Sequence, residues 1–152
     1  MFKRKIYSKM QEWKKDSDGK TALLIEGARR IGKSTVVEEF AKNEYESYIL
    51  IDFARASKET KELFEDVSDL NFFFLQLQLQ YRVDLQERKS VIIYDEVQLC
   101  PVARQAIKVL VADHRYDYIE TGSLIFFLVN LLYIAAVTAE TKNSNLKHLQ
   151  KE

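Results

Sequence analysis

Residues 27–35 read GARRIGKST, and this stretch is the most informative part of the sequence. It fits the pattern Gly-x-x-x-x-Gly-Lys-[Ser/Thr], in which glycines let the backbone turn so that successive N–H groups converge on one anion. The pattern predicts a phosphate-binding loop, with the lysine as a point charge for the β- and γ-phosphates and the serine hydroxyl on Mg²⁺. The residues expected to contact the nucleotide are those of the whole loop: Gly27, Ala28, Arg29, Arg30, Ile31, Gly32, Lys33, Ser34 and Thr35.

The segments on either side of the loop support this interpretation. TALLIE, residues 21–26, is short and apolar, like a strand buried on both faces of a sheet. Behind the loop, Val36, Val37, Phe40 and Ala41 form the buried stripe of a helix. A helix that starts there adds the positive end of its dipole to the loop. This strand–loop–helix context favours phosphate binding over the alternative, a basic surface turn.

The rest of the chain alternates strands and helices. An amphipathic helix is expected over residues 1–15, and apolar runs predict strands over 48–53, 90–96 and 116–123. Pro101 stands where a helix would begin. Residues 57–83 fit either a strand with alternating leucines or one helix face, and the longer pattern favours the helix. The expected fold is therefore a three-layer αβα P-loop core around a parallel sheet, with an atypical or missing last strand and lid.

A pair of carboxylates ends the apolar strand VIIYDE, residues 91–96. In an open parallel sheet, ligands bind at the carboxyl ends of the strands. Asp95 is expected to reach Mg²⁺ through its water shell, and Glu96 to polarise the water that attacks the phosphate. For Gln98 two roles stay open: it orients water or the neighbouring loop, or it is an exposed helix cap.

The stretch IETGSL, residues 119–124, supplies a third polar group. The strand beside the phosphate-loop strand should end in a side chain that faces the γ-phosphate. Thr121 and Ser123 are the candidates, with Ser123 preferred, and a plain glycine turn is the alternative.

Three stretches carry a family resemblance: LLIEGARRIGKSTVVEEFA, SVIIYDEVQLCPVARQAIKVL and YIETGSL. In their order and spacing they resemble the AAA-superfamily ATPases of bacteria and archaea that are known only as ATP-binding. The resemblance runs from about residue 1 to 125. It implies a nucleotide site in which Gly27, Gly32, Lys33 and Ser34 hold phosphate and metal. It also implies Asp95 as the metal residue, Glu96 as the catalytic carboxylate, and Thr121 or Ser123 as the sensor.

Members of that group continue into a winged-helix-like lid and often a nuclease-like domain, and here the chain departs from them. Residues 124–139 read LIFFLVNLLYIAAVTA, without a charge, and a polar tail follows. Three interpretations stay open for this part: a last strand with a short packed helix, a truncated or frame-shifted end, and, least favoured, a membrane span, which normally needs ~20 residues. The expected domains are an ATPase core over 1–123 and an atypical segment over 124–152.

Composition limits the remaining functions. Lys plus Arg equals Asp plus Glu at 23 each, so no net charge recruits nucleic acid or an anionic membrane. The lone cysteine, Cys100, excludes an internal disulfide and suits the cytoplasm as a small core residue. The expected ligands are ATP and ADP with Mg²⁺, while a homo-oligomer and a nucleic-acid or protein client stay open.

The expected activity is hydrolysis of ATP to ADP and phosphate. It should be slow in this chain alone, because no lid and no arginine from a neighbour can be identified. Two alternatives remain: a small P-loop phosphotransferase, and an interaction module that binds nucleotide without hydrolysing it.

Overall fold

A computed structural model describes residues 2–27 and 32–123 of the chain. Four parallel strands form one sheet in the order β1-β4-β3-β2. Five α-helices and one 3-10 turn, Val97–Leu99, complete the described part. The strands are β1 Leu23–Gly27, β2 Ser47–Asp52, β3 Ser90–Asp95 and β4 Asp117–Ser123, and the helices are α1 Phe2–Ser17, α2 Lys33–Glu44, α3 Lys58–Leu63, α4 Leu70–Tyr81 and α5 Pro101–Asp113.

Helices cover both faces of the sheet, which confirms the three-layer αβα architecture. On one face α1 and α2 pack over Ile25, Val91 and Ile119. On the other face α3, α4 and α5 pack over Ile49, Ile92 and other residues of the larger core. β3 has every residue buried, as expected for a strand that is covered on both sides.

The strands expected over 21–26, 48–53, 90–96 and 116–123 and the helix expected over 1–15 form, with small differences at their ends. The first helix continues to Ser17 instead of ending at residue 15. Pro101 is the first residue of α5, where its missing N–H costs nothing. The buried stripe of α2 consists of Val36, Val37, Phe40 and Ala41, with Lys33 at its start. Cys100 is a buried free cysteine.

Residues 57–83 are helical, as expected, but they form two helices instead of one. The side chain of Ser57 caps α3 by accepting a hydrogen bond from the N–H of Thr60, at 3.1 Å. Asp69 caps α4 in the same way from the N–H of Phe72, at 3.0 Å. Since the two helices cross the same core, Phe64 at the end of α3 packs edge-on against Phe73 of α4, with ring centroids 5.2 Å apart.

A partly buried ion pair between Arg88 and Asp117 lies at the start of β4, at the amino-terminal edge of the sheet. Asp117 is 6% exposed and accepts hydrogen bonds from Arg88 and from the hydroxyl of Tyr45, each at 2.6 Å. Gly19 approaches this pair so closely that a Cβ there would lie 2.4 Å from the Arg88 guanidinium. The polar residues at the carboxyl ends of the strands lie at the opposite edge of the sheet.

Among residues 2–27 and 32–123, no helix is both long enough and apolar enough to span a membrane. The segment 124–139, for which a strand with a helix, a truncated end and a membrane span stayed open, lies outside the described residues.

Candidate active site

Gly32 sets the direction in which α2 leaves the loop. Its φ of 82° and ψ of 22° place it in the left-handed region, which side-chain-bearing residues rarely adopt. A Cβ at this position would meet nothing within 4 Å, so the backbone conformation and not a lack of space requires glycine. α2 then begins at Lys33 with no acidic residue in its first turn. The first turn of α2 therefore adds no anion of its own to the positive end of the helix dipole.

Lys33, the first residue of α2, is almost completely buried. Its side chain is 5% exposed, and Nζ donates a hydrogen bond of 2.8 Å to the carbonyl oxygen of Gly27, the last residue of β1. The ammonium group thus lies at the first glycine of the motif. Thr35, in the same turn of α2, is exposed. Ala28, Arg29, Arg30 and Ile31 lie outside the described residues, so their expected contacts stay predictions.

Asp95 joins three elements of the site through one oxygen atom. Its Oδ1 accepts a 2.7 Å hydrogen bond from the hydroxyl of Ser34 at the start of α2. The same atom accepts a 2.6 Å hydrogen bond from the hydroxyl of Thr121 near the end of β4. Asp95 is 8% exposed and Thr121 is fully buried. Helix α2 and strands β3 and β4 therefore meet at the Asp95 carboxylate.

The strand order makes this junction possible. β4 lies between β1 and β3, so the TGS stretch ends beside the phosphate-loop strand, as the sequence predicted. Gly27 and Ser123 are direct partners in the pairing of β1 with β4. In this register both candidate sensor residues lie at the carboxyl edge of the sheet.

Glu96 follows Asp95 in an uncommon backbone conformation. Its φ of 55° and ψ of 48° are left-handed, although it carries a side chain. Its N–H donates a 3.2 Å hydrogen bond to the hydroxyl of Thr121, which holds the turn in place. Such conformations cost of order 1 kcal/mol or more and cluster at functional sites, because the surrounding structure must stabilise them.

Two polar side chains surround the Glu96 carboxylate. The amide of Gln98 donates a 2.5 Å hydrogen bond to Oε2, and the Ser123 hydroxyl lies 3.5 Å from the same oxygen. Gln98 is 8% exposed, so the interpretation of this residue as an exposed helix cap is wrong. The two sensor candidates take different positions: Thr121 contacts Asp95, and Ser123 is near Glu96.

Sequence reasoning missed one buried carboxylate next to the site. Glu120 is 5% exposed, and strand alternation directs its side chain to the sheet face opposite that of Thr121. Burial raises the pKa of this carboxyl above its ordinary value, and the nearby Arg104 opposes that shift only in part. Its Oε1 is buried and finds no hydrogen-bond partner. The only signal in the sequence was a charged residue directly after the apolar residues Tyr118 and Ile119 in the middle of the strand.

Asp52 ends β2 opposite Asp95 in the strand register, at the same edge of the sheet. Its carboxylate accepts a 3.0 Å hydrogen bond from the N–H of Ala54 and so closes its own turn. It also lies 3.8 Å from the Arg55 side chain. The structure thus gives Asp52 a role in the turn after β2, away from the hydrogen bonds of Asp95.

The fold and this cluster of residues define the class: a P-loop nucleotide-binding protein with an α/β core. A family model described as an AAA domain matches residues 19–135, which is more than half of the chain. The chain therefore belongs to the AAA domain family and has the general nucleotide-binding, ATPase-like function of that family. No curated protein matches the chain.

Proposed function

We propose that the chain is an ATP·Mg²⁺-binding ATPase core, formed by residues 1–123, that hydrolyses the γ-phosphate of ATP. The observation that carries this proposal is the junction at Asp95 Oδ1, which accepts hydrogen bonds from Ser34 and Thr121. It brings the start of α2, the end of β3 and the end of β4 to one place. Glu96 follows immediately, so a carboxylate stands next to the position expected for the metal.

The phosphates are bound by the loop and by the first turn of α2. Backbone N–H groups and the helix dipole favour an anion there, and Lys33 adds a full positive charge. In the structure the Lys33 ammonium contacts the carbonyl of Gly27. Binding of ATP exchanges that neutral carbonyl for phosphate oxygens, which are stronger partners for an ammonium.

The oxygen atoms at the junction fit a magnesium ion. Mg²⁺ prefers hard oxygen ligands and keeps several of its waters. Ser34 would bind it directly, and Asp95 would hold its water shell, since the two side chains already lie 2.7 Å apart. A bound ion would supply positive charge that offsets the negative charge developing on the phosphates.

Glu96 is the group that we assign to the attacking water. Its carboxylate accepts a hydrogen bond from the water and so orients a lone pair of the water oxygen toward the γ-phosphorus. The carboxylate then takes up the proton that the water loses. A new bond forms between the water oxygen and phosphorus, while the bond from phosphorus to the β,γ-bridging oxygen breaks. ADP and inorganic phosphate leave. Gln98 and Ser123 hold the carboxylate in position from one side.

Turnover by this chain alone is expected to be slow. In comparable enzymes an arginine that stabilises the transferred phosphoryl group contributes roughly 10³- to 10⁵-fold. Arg29 and Arg30 belong to the loop, and neither is assigned that role. A small-molecule phosphotransferase is less well supported, because Glu96 directly after Asp95 suits activation of water.

Isothermal titration calorimetry of the full chain tests the binding half of the proposal. We expect ATP to bind in the presence of Mg²⁺, and the Lys33→Ala variant to lose at least tenfold in affinity, or about 1.4 kcal/mol. Lys42→Ala, an exposed lysine on the same helix, is the matched control and should bind as the wild type does. Absence of ATP binding by the wild-type chain would refute the proposal.

A further inference from the structure

Helix α4 is apolar on more than the face that it buries. Its twelve residues, LNFFFLQLQLQY, contain no charge. Phe73, Phe74 and Leu77 face the core and are almost completely buried. A helix at the surface of a globular protein normally carries polar residues on its outer face. The outer face of α4 therefore needs an explanation that the core does not provide.

Three large side chains make a continuous ridge on that outer face. Phe72, Leu75 and Leu79 are 55%, 53% and 63% exposed. At 100° per residue they fall within about 60° of the helix surface, and the ridge is about 10 Å long. The other large apolar side chains that are exposed in the described residues, Leu99 and Val109, lie on other elements. The exposure is therefore concentrated on α4, which is typical of an interaction site.

An acidic groove runs along one side of this ridge. The groove has a volume of about 430 Å³, and Phe72 and Phe73 contribute to its wall. Among its lining residues in the described part of the chain none is basic. Its rim carries four exposed carboxylates from α3 and the turn before α4: Glu59, Glu62, Asp66 and Asp69. The Glu62 carboxylate already lies 3.6 Å from the ammonium of Lys58, in an exposed ion pair on the same helix. An apolar ridge with a carboxylate rim matches a surface that is apolar in the middle and positively charged at its flank.

Within residues 2–27 and 32–123, a second copy of the chain supplies only half of that match. Its α4 has the apolar ridge but no basic residue to pair with the carboxylates. Its α1 has exposed lysines and an arginine, Lys3, Arg4, Lys5 and Lys9, but no large apolar side chain exposed among the described residues. One protein segment with both properties, an amphipathic helix with apolar residues at i, i+3 or i+4, and i+7 and lysines or arginines beside them, satisfies ridge and rim together.

We propose that the α4 ridge and its acidic groove form a docking site for a cationic amphipathic helix of a protein partner. The apolar residues of that helix pack against Phe72, Leu75 and Leu79. Its basic residues lie over the carboxylates of α3. The proposal does not depend on ATP hydrolysis, because none of these residues belongs to the junction at Asp95.

Fluorescence anisotropy with the full chain tests this site. The probe is a labelled helical peptide of about 18 residues, with leucines on one face and lysines on both flanks. A second peptide with glutamates in place of the lysines is its control. We expect the basic peptide to bind and the acidic peptide to bind at least tenfold more weakly. The Leu75→Gln/Leu79→Gln variant should lose at least tenfold, and Glu59→Lys/Glu62→Lys should reverse the preference between the peptides.

The control variant is Val109→Gln, which changes an exposed apolar residue away from the ridge. Equal binding of both peptides, or equal loss in Val109→Gln, would contradict the proposal. Two further results would also overturn the proposal, because each would show that a different segment covers the α4 ridge. One is a concentration-dependent dimer that Leu75→Gln/Leu79→Gln dissociates. The other is amide-exchange protection of residues 124–139 that is lost in the same variant.

Discussion

Glu96 shows at the residue scale how far the sequence could lead. Its place after an apolar strand and Asp95 was enough to predict a carboxylate at the ligand edge of the sheet. Its left-handed backbone was not predictable, because that conformation depends on the hydrogen bond from its N–H to Thr121, 25 residues later. The contact between Gln98 and Glu96 was not predictable either, because the Gln98 amide reaches the carboxylate through the 3-10 turn that follows β3.

Replacing Gln98 tests whether that contact positions the carboxylate. We expect Gln98→Ala to lower kcat about tenfold, equivalent to about 1.4 kcal/mol, while the Kd for ATP stays unchanged. Glu96 would keep its charge but lose the donor 2.5 Å from Oε2, so fewer molecules would hold it toward the water. Steady-state phosphate release and calorimetry measure the two quantities.

Gln105→Ala, at an exposed position of α5, is the matched control for that variant. An affinity for ATP that falls as much as the rate would show that Gln98 supports binding and not the position of Glu96.

At the element scale, the two helices between β2 and β3 show what periodicity leaves out. Apolar residues recur at helical spacing through 57–83, so one long helix was a reasonable expectation. The break follows from local side-chain hydrogen bonds: the Asp66 carboxylate accepts from the N–H of Ser68 at 3.0 Å, and Asp69 caps α4. Ser57 and Asp69 are residue types that favour N-caps, and that signal could have located both helix starts.

The buried Glu120 in β4 should make the free energy of unfolding depend on pH. Burial raises the pKa of Glu120, so the folded state favours its protonated form. Below pH 4.5 the Glu120 carboxyl is protonated in both the folded and the unfolded protein, so its ionisation does not lower the free energy of unfolding. As the pH rises through the raised pKa of the folded state, the free energy of unfolding falls, because the buried carboxyl must then carry a charge. We expect Glu120→Gln to stabilise the fold at neutral pH by about 1 kcal/mol, since it removes a buried charge. The gain should shrink toward pH 4.5.

Urea denaturation of the wild type and the variant across this pH range measures the difference. Glu65→Gln, at an exposed position, should show no such pH dependence. A stabilisation by Glu120→Gln that is the same at all pH values would mean that the carboxyl is not charged at a cost in the folded protein.

At the scale of the whole molecule, the alternation of strands and helices was sufficient to predict three layers and a parallel sheet. The sequence predicted that the strand ending in TGS lies beside the phosphate-loop strand, and the order β1-β4-β3-β2 confirms that β4 is the neighbour of β1. The expectations for residues 28–31 and 124–152 lie outside the described residues and stay predictions. The separation of the acidic groove from the active site was not predictable, because it depends on how α3 and α4 pack.

Single-turnover hydrolysis of γ-labelled ATP by the full chain, compared with its Glu96→Gln variant, tests the central claim most directly. We expect both proteins to bind ATP·Mg²⁺ with similar affinity, because Gln keeps the size of the side chain. The wild type should release phosphate slowly without any acceptor, and the variant at least roughly a hundredfold more slowly, since it lacks the carboxylate that takes the proton from water. Equal rates of phosphate release by the two proteins would contradict the account.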